Sequence, residues 1–208
     1  MPTVPAKRKK DNITIGSCKV YLTDWDGSTL PSKETICVEA NRLGYVKGGA
    51  SLEYTQETLT EKDDLGYVSK TITTSEEAKV KFGIITWNGN TLHTLVDRSS
   101  VSEADGIRTL KIGGGGNAQD KNYVLCLHHE DNTDGDVWVM IVGKNTAGAT
   151  ITLATDKGTV IEPEFTAMPH DSNGTLIEIY EEIGGTEQVQ QGSGDSGNSG
   201  NDSGTTSP

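Results

Sequence analysis

The segment TVIEPEFTAMPHDSNGTLIEIY, residues 159–180, contains two extended runs separated by a turn. From Ile161 to Ala167 apolar residues alternate with polar ones, which is the period of a half-buried β-strand. Residues 168–174, MPHDSNG, combine Pro, Asp and Asn-Gly, all of which favour turns. A second alternating run follows over residues 176–180. The segment therefore predicts a β-hairpin.

Pro163 decides where this hairpin is expected in a sheet. Proline has no backbone N–H to donate, so it favours an edge strand or a bulge. An uncovered edge strand pairs with other chains. We therefore predict that the hairpin lies at an intersubunit edge. Four apolar residues are expected to form that edge: Pro163, Phe165, Met168 and Leu176.

The composition indicates a β-rich domain with an acidic surface. The chain has 208 residues, 33% hydrophobic, with 25 glycines and a net charge of −12. Many glycines and few aromatics fit short strands and turns better than a helical bundle. An acidic surface repels nucleic acid and anionic membranes. No apolar run approaches the ~20 residues of a membrane span, and no signal peptide is recognisable, so we expect no membrane contact.

Changes in composition divide the chain into three parts. Residues 1–12 are polar and basic and are predicted to be a flexible arm. Residues 13–183 are predicted to form one β domain. Residues 184–208 are rich in Gly, Ser and Asp and predict a disordered tail.

Alternating patterns within residues 13–183 predict a β-sandwich or partly closed barrel of about eight to ten strands with one packed helix. Residues 35–40 are expected to form one strand, and residues 123–127 and 137–142 the core strands. The helix is expected over residues 88–97. It would be capped by Asn88 or Asn90 and would face the sheet. The facing residues are Leu92, Leu95 and Val96.

Residues 51–73 predict a long polar hairpin. Its first strand places a row of acidic residues at positions of equal parity: Glu53, Glu57, Glu61 and Asp63. The return strand carries hydroxyl residues at 69, 71 and 73. Such a surface is either an ordinary solvated sheet face or the wall of a water-filled channel. On the second interpretation the four acidic residues face a lumen.

Several patterns resemble catalytic or ligand sites, but none has the required geometry. Cys126 and His128 would point to one side of a strand and His129 to the other, so they cannot converge on one metal ion. Residues 113–116, GGGG, lack the Gly-Lys-Ser/Thr ending of a phosphate-binding loop. Residues 194–197, GDSG, lie in the predicted tail, where nothing would hold a catalytic base. The three cysteines are interpreted as buried apolar residues. We therefore expect no catalytic residue, metal or cofactor.

Three segments together resemble the major tail tube proteins of long-tailed bacteriophages. They are EFTAMPHDSNGTL (164–176), LGYVKGGASLEY (43–54), and the strand, Trp-Asn-Gly and helix of residues 76–97. The resemblance covers roughly residues 34–182. It implies a β-sandwich with one helix that assembles as stacked hexameric rings, without catalysis. The resulting tube would be the conduit for genome ejection.

The same resemblance implies partners and a location. Other copies of this chain would form the tube, and a tape measure and a tail terminator protein would contact it. DNA would pass through without specific binding. The protein would be assembled in the host bacterial cytoplasm and reside in the virion tail. Two alternatives remain at this point: the inner tube of a contractile bacteriocin or secretion system, and a carbohydrate-binding β-sandwich module.

Overall fold

A computed structural model describes residues 13–183, so the predicted basic arm and the predicted tail lie outside the described residues. Within this range the helices are α1 (Lys33–Ile36) and α2 (Gly89–Leu95). The strands are β1 (Lys19–Asp24), β2 (Arg42–Gly44), β3 (Val46–Lys62), β4 (Ser69–Ile84), β5 (Ser99–Ala104), β6 (Ile107–Ile112), β7 (Tyr123–His129), β8 (Val137–Asn145), β9 (Glu164–Ala167) and β10 (Glu178–Glu181). The predicted mainly β fold is confirmed.

The main sheet is antiparallel and branches at β8. Its strands follow the order β2, β1, β7, β8, β9, β4, β3. The first half of β8, from Val137 to Met140, pairs with β10, whereas Gly143–Asn145 pair with β9. Two branches therefore leave the same edge of β8. Strands β5 and β6 form a separate hairpin.

A sandwich-like core lies between two parts of the folded sheet. We call it the inner core; β1, β7 and β8 contribute one side, and β4, β9 and α2 the other. Its buried members are Val20, Leu22, Val80, Phe82, Ile84, Leu92, Leu95, Tyr123, Leu125, Leu127, Ile141, Ile161 and Phe165. Removing these side chains from water is the main term that stabilises the fold.

The opposite face of β1, β7 and β8 carries a second, smaller cluster, which we call the outer core. Its buried members are Tyr21, Ile36, Val124, Cys126, Met140 and Val142. Alternate residues of β7 therefore enter different cores, and both of its faces are covered. This explains the continuous apolar runs of β7 and β8 and confirms that they are the core strands.

Residues 35–40 do not form the predicted strand. Ser32 caps α1 by accepting a hydrogen bond from the Thr35 backbone N–H, and Ile36 becomes completely buried in the outer core. A 3₁₀ turn over Glu39–Asn41 follows. The β-branched residues of this segment favour a strand, but the serine cap and burial against the sheet outweigh that weak preference.

The prediction that Pro163 to Leu176 form an edge hairpin is wrong. Strand β9 lies between β8 and β4, and β10 pairs with β8 rather than with β9. Pro163 is buried one residue before β9, where no ladder N–H is required of it. Phe165 is fully buried in the inner core, while Met168 packs on the outer core and Leu176 is half-buried. Filling the core with Phe165 stabilises an interior position for this strand.

Helix α2 is confirmed as the main helix, although it is shorter than the predicted residues 88–97. The Asn88 side-chain oxygen accepts from the backbone N–H groups of Asn90 and Thr91 at 2.8 and 3.1 Å. Leu92 and Leu95 enter the inner core, and Val96 is the half-buried residue that ends the helix. No helix in residues 13–183 is long and apolar enough to cross a membrane.

Candidate assembly surface

The β3–β4 hairpin extends far beyond the core that anchors it. Strand β3 has 17 residues and β4 has 16. Along β4 the first buried residue is Ala78, and every residue from 53 to 77 is exposed. We call residues 53–77 the projecting hairpin. Its ten β3 residues at ~3.3 Å each extend about 30 Å from the domain.

The projecting hairpin has open backbone edges on both sides. Within residues 13–183, β3 pairs with β4 alone. Strand β4 pairs with β9 only over Lys79–Lys81, so the outer edge of its exposed part has no strand partner in the described chain. Open edges offer unpaired N–H and C=O groups to another strand. Both sides of one hairpin are thus available for pairing with other chains.

Two glycines shape the base of the hairpin. The register of β3 shifts between Val46 and Ala50, where Gly48 and Gly49 have φ of +89° and +82°. Only glycine readily adopts a backbone conformation with such a positive φ. Opposite them, a side chain at Gly83 would collide with the Lys47 carbonyl oxygen. The bulge redirects β3 before it leaves the domain, and it lies within the predicted Gly-Gly-Ala segment.

A second bulge divides the polar residues of the hairpin between its faces. Glu57 pairs with Ser75, but Thr58 pairs with Thr73, so Thr74 is the extra residue. Glu53, Glu57 and Glu61 remain on one face, which we call the glutamate face. Thr71 and Thr73 lie on the opposite face, since they pair with Thr60 and Thr58. The glutamates and these threonines do not form one surface.

The glutamate face also carries lysines. Glu53 is paired with Lys79 and Glu61 with Lys70, while Glu57 accepts a 2.9 Å hydrogen bond from the Ser75 hydroxyl. Its charge is therefore mixed: Glu53 and Glu61 each face a lysine, and Glu57 faces Ser75.

At the base of this face Lys79 belongs to a group of ion pairs. Its ammonium lies 3.0 Å from Glu77 and 3.8 Å from Glu164, and Lys81 lies 3.0 Å from Glu164. The hydrogen bond to Glu77, followed by the charges of Glu164 and Glu53, raises the pKa of Lys79. These pairs tie the start of the hairpin to β9.

Asp63 closes the tip of the hairpin. It follows the last residue of β3, and its carboxylate accepts a 2.7 Å hydrogen bond from the Val68 backbone N–H. Asp63 is thus a turn residue beyond the glutamate row.

Apolar side chains are exposed at the tip and midway along the hairpin. At the tip Leu65, Tyr67 and Val68 are 76%, 83% and 69% exposed. Midway, Leu59 pairs with Ile72, and both are nearly half-exposed. The apolar cluster at the tip is typical of protein interfaces, whereas Leu59 and Ile72 share the glutamate face. The sequence analysis missed the tip, although three large apolar residues in the six-residue turn 63–68 were a visible signal.

No family model matches this chain, and no curated protein matches it. Among solved structures, the cryo-EM structure of the anti-feeding prophage cap, a tube-terminating cap, is similar over 82% of this chain and 93% of its own length. The TM-score is 0.46 and the sequence identity is 12%. A likeness of this size carries no argument about function.

Proposed function

We propose that this protein is a structural tail tube subunit that assembles as stacked hexameric rings around a channel for phage DNA. The projecting hairpin is the observation that carries the proposal. It exposes about 30 Å of two-stranded sheet with both edges open. An isolated two-stranded hairpin is marginally stable in water, so such a hairpin gains most from pairing with copies of itself.

The two open edges support a ring rather than a dimer. The β3 edge of one subunit is presented to the exposed β4 edge of the next, so the contact is heterologous. A heterologous contact that closes gives a ring, and ring closure leaves no free edge in the sheet. The hairpins would then form a barrel with the glutamate face toward the lumen, in which Glu53, Glu57 and Glu61 repel phosphates. The chain's net charge of −12 acts in the same direction.

In this proposal the protein has no enzymatic activity and requires no cofactor. A tape measure protein would occupy the lumen during assembly, and a tail terminator would close the tube. The inner tube of a contractile bacteriocin or secretion system would use the same hairpin geometry. A carbohydrate-binding module has no need for a hairpin that extends beyond its core.

Trimming the hairpin tests the proposal. Replacing residues 58–74 with Asn-Gly joins Glu57 to Ser75, which already face each other, through a two-residue turn. We expect the full-length protein to form rings or tubes in negative-stain microscopy. The trimmed protein should remain a folded monomer by sedimentation and circular dichroism, because the removed residues bury nothing.

A full-length protein that stays a compact monomer at high concentration would overturn the proposal and favour the binding module. Tubes formed by the trimmed protein would show that the hairpin is not the joint.

A further inference from the structure

Two cysteines from distant parts of the chain meet beside the outer core. The Cys37 and Cys126 sulfur atoms are 3.7 Å apart, although 89 residues separate them. Cys37 is half-buried and ends α1, whereas Cys126 is completely buried in β7. Cys18, the third cysteine, packs on the inner core, across the sheet. We call Cys37 and Cys126 the thiol pair.

A histidine with a fixed orientation adjoins the thiol pair. His128 lies two residues after Cys126 on the same face of β7, and its Nε2 is 2.8 Å from an Asp136 carboxylate oxygen. The imidazole stacks on Trp138 with ring centres 4.8 Å apart. Its Nδ1 is buried, makes no hydrogen bond, and lies 3.8 Å from a Glu130 carboxylate oxygen. A ring held at one nitrogen by a carboxylate is positioned to accept a proton at the other.

Burial places the negative charge of the thiol pair on Cys37. A charge on the completely buried Cys126 would cost more than a charge on the half-buried Cys37, so burial favours Cys126 as the donor of the 3.7 Å contact between the two sulfur atoms. The hydrogen bond from Cys126, and secondly the interaction with His128, hold the pKa of the Cys37 thiol well below its usual range. The pKa of Cys126 is raised by the same contact with Cys37 and by burial.

The imidazole of His128 supports the assignment of the negative charge to Cys37. Burial lowers the pKa of His128, but the contacts with Cys37 and Asp136 outweigh it and raise the pKa overall. Glu130 also faces the imidazole, since its carboxylate lies 3.8 Å from His128 Nδ1. Lys33 lies above Trp138 and pairs with Glu34 at 3.3 Å, and Tyr21 and Tyr180 lie in the outer core.

We propose that Cys37 is a peroxide-reactive thiolate and that its oxidation closes a disulfide with Cys126. The Cys37 sulfur attacks one oxygen of hydrogen peroxide, the O–O bond breaks, and hydroxide leaves. The proton held on His128 converts that hydroxide to water, and Cys37 becomes a sulfenic acid.

In the second step the Cys126 sulfur displaces the Cys37 hydroxyl. The S–S bond forms, the S–O bond breaks, and the Cys126 proton leaves with the hydroxyl as water. In total two thiols lose two electrons and two protons, and one peroxide becomes two waters. Closure requires the sulfur atoms to approach from 3.7 Å to about 2.05 Å. The short helix and 3₁₀ turn around Cys37 are the segments that adjust.

Peroxide treatment of the full chain, followed by alkylation under denaturing conditions, tests the disulfide. We expect three alkylated cysteines to fall to one in the wild type, and two to fall to none in C18S. C126S should stop at a sulfenic acid on Cys37 that a dimedone probe labels. Retention of three reduced thiols, or a disulfide that includes Cys18, overturns the proposal.

The pH profile of the peroxide reaction tests the contribution of His128 to the Cys37 thiolate. In the wild type the rate should stay constant down to about pH 7, which is below the pKa of ~8.5 of a free cysteine. H128N should move the inflection upward and slow the reaction about tenfold at neutral pH, since less thiolate remains.

H129N is the matched control, because His129 points to the opposite face and contacts the Ser17 carbonyl oxygen. Its profile should match the wild type. A wild-type inflection near about pH 8.5 would overturn the assignment of the thiolate to Cys37, whether or not H128N folds.

Discussion

Phe165 lies at the centre of the inner core and stacks on Phe82 with ring centres 5.9 Å apart. It is fully buried in β9, the strand that joins β8 to β4. At the scale of single residues, this side chain determines where residues 159–180 lie. The alternating pattern around it shows that one face is buried, but an edge strand and a central strand share that pattern.

Replacing Phe165 with alanine should lower the free energy of unfolding by about 3–5 kcal/mol, because it removes apolar contacts and leaves a cavity. Urea denaturation of the monomeric protein measures this. L153A is the control: Leu153 is 83% exposed, so its loss should change stability by less than about 0.5 kcal/mol. An equally small effect of F165A would contradict the buried position of this residue.

At the scale of elements, the projecting hairpin has few interactions that hold it in the monomer. Its contacts are cross-strand pairs, such as Leu59 with Ile72 and Glu61 with Lys70, and the turn bond made by Asp63. Each cross-strand pair contributes only about 0.2–1 kcal/mol. The base is firmer, because the ion pairs of Lys79 and the burial of Ala78 attach it to the core.

Hydrogen exchange should therefore differ between monomer and tube. We expect amides of residues 53–62 to exchange rapidly in the monomer and slowly in the tube, where an added strand would bond their open edge. Amides of β7 should be protected in both states and serve as the internal reference. Equal protection of the hairpin in the two states would contradict its role as the ring joint.

At the scale of the whole molecule, the proposed lumen depends on which face of the hairpin points inward. The glutamate face contains Lys70 and Lys79 directly opposite Glu61 and Glu53. Exchanging those two glutamates for lysine would place like charges opposite each other and weaken the hairpin itself. Glu57 has Ser75 opposite, so its charge can be reversed without that effect.

E57K tubes should form normally and retain short duplex DNA at low salt. One new cation per subunit repeats around each proposed ring, and binding should weaken steeply as salt rises, because each phosphate contact releases counterions. E76K is the matched control, since Glu76 pairs with Gln56 on the opposite face. DNA retention by E76K tubes and not by E57K tubes would show that the opposite face lines the channel.

Local patterns in the sequence were sufficient for the class of fold and for several elements. Period-two alternation predicted a mainly β chain, continuous apolar runs predicted the β7 and β8 core strands, and Asn88 predicted the start of α2. The long polar hairpin was also predicted, together with the shared parity of its three glutamates. These features depend on residues within a few positions of one another, where propensity and capping act.

Only the tertiary structure decided which edges meet. The interior position of β9 and the pairing of Cys37 with Cys126 depend on contacts between residues distant in sequence. The helical turn at Lys33–Ile36 combines a local cap by Ser32 with the burial of Ile36 against distant strands. The bulge at Thr74 likewise moved Thr71 and Thr73 away from the glutamates. One extra residue in a strand reverses every side chain beyond it, and its position depends on how the partner strand packs.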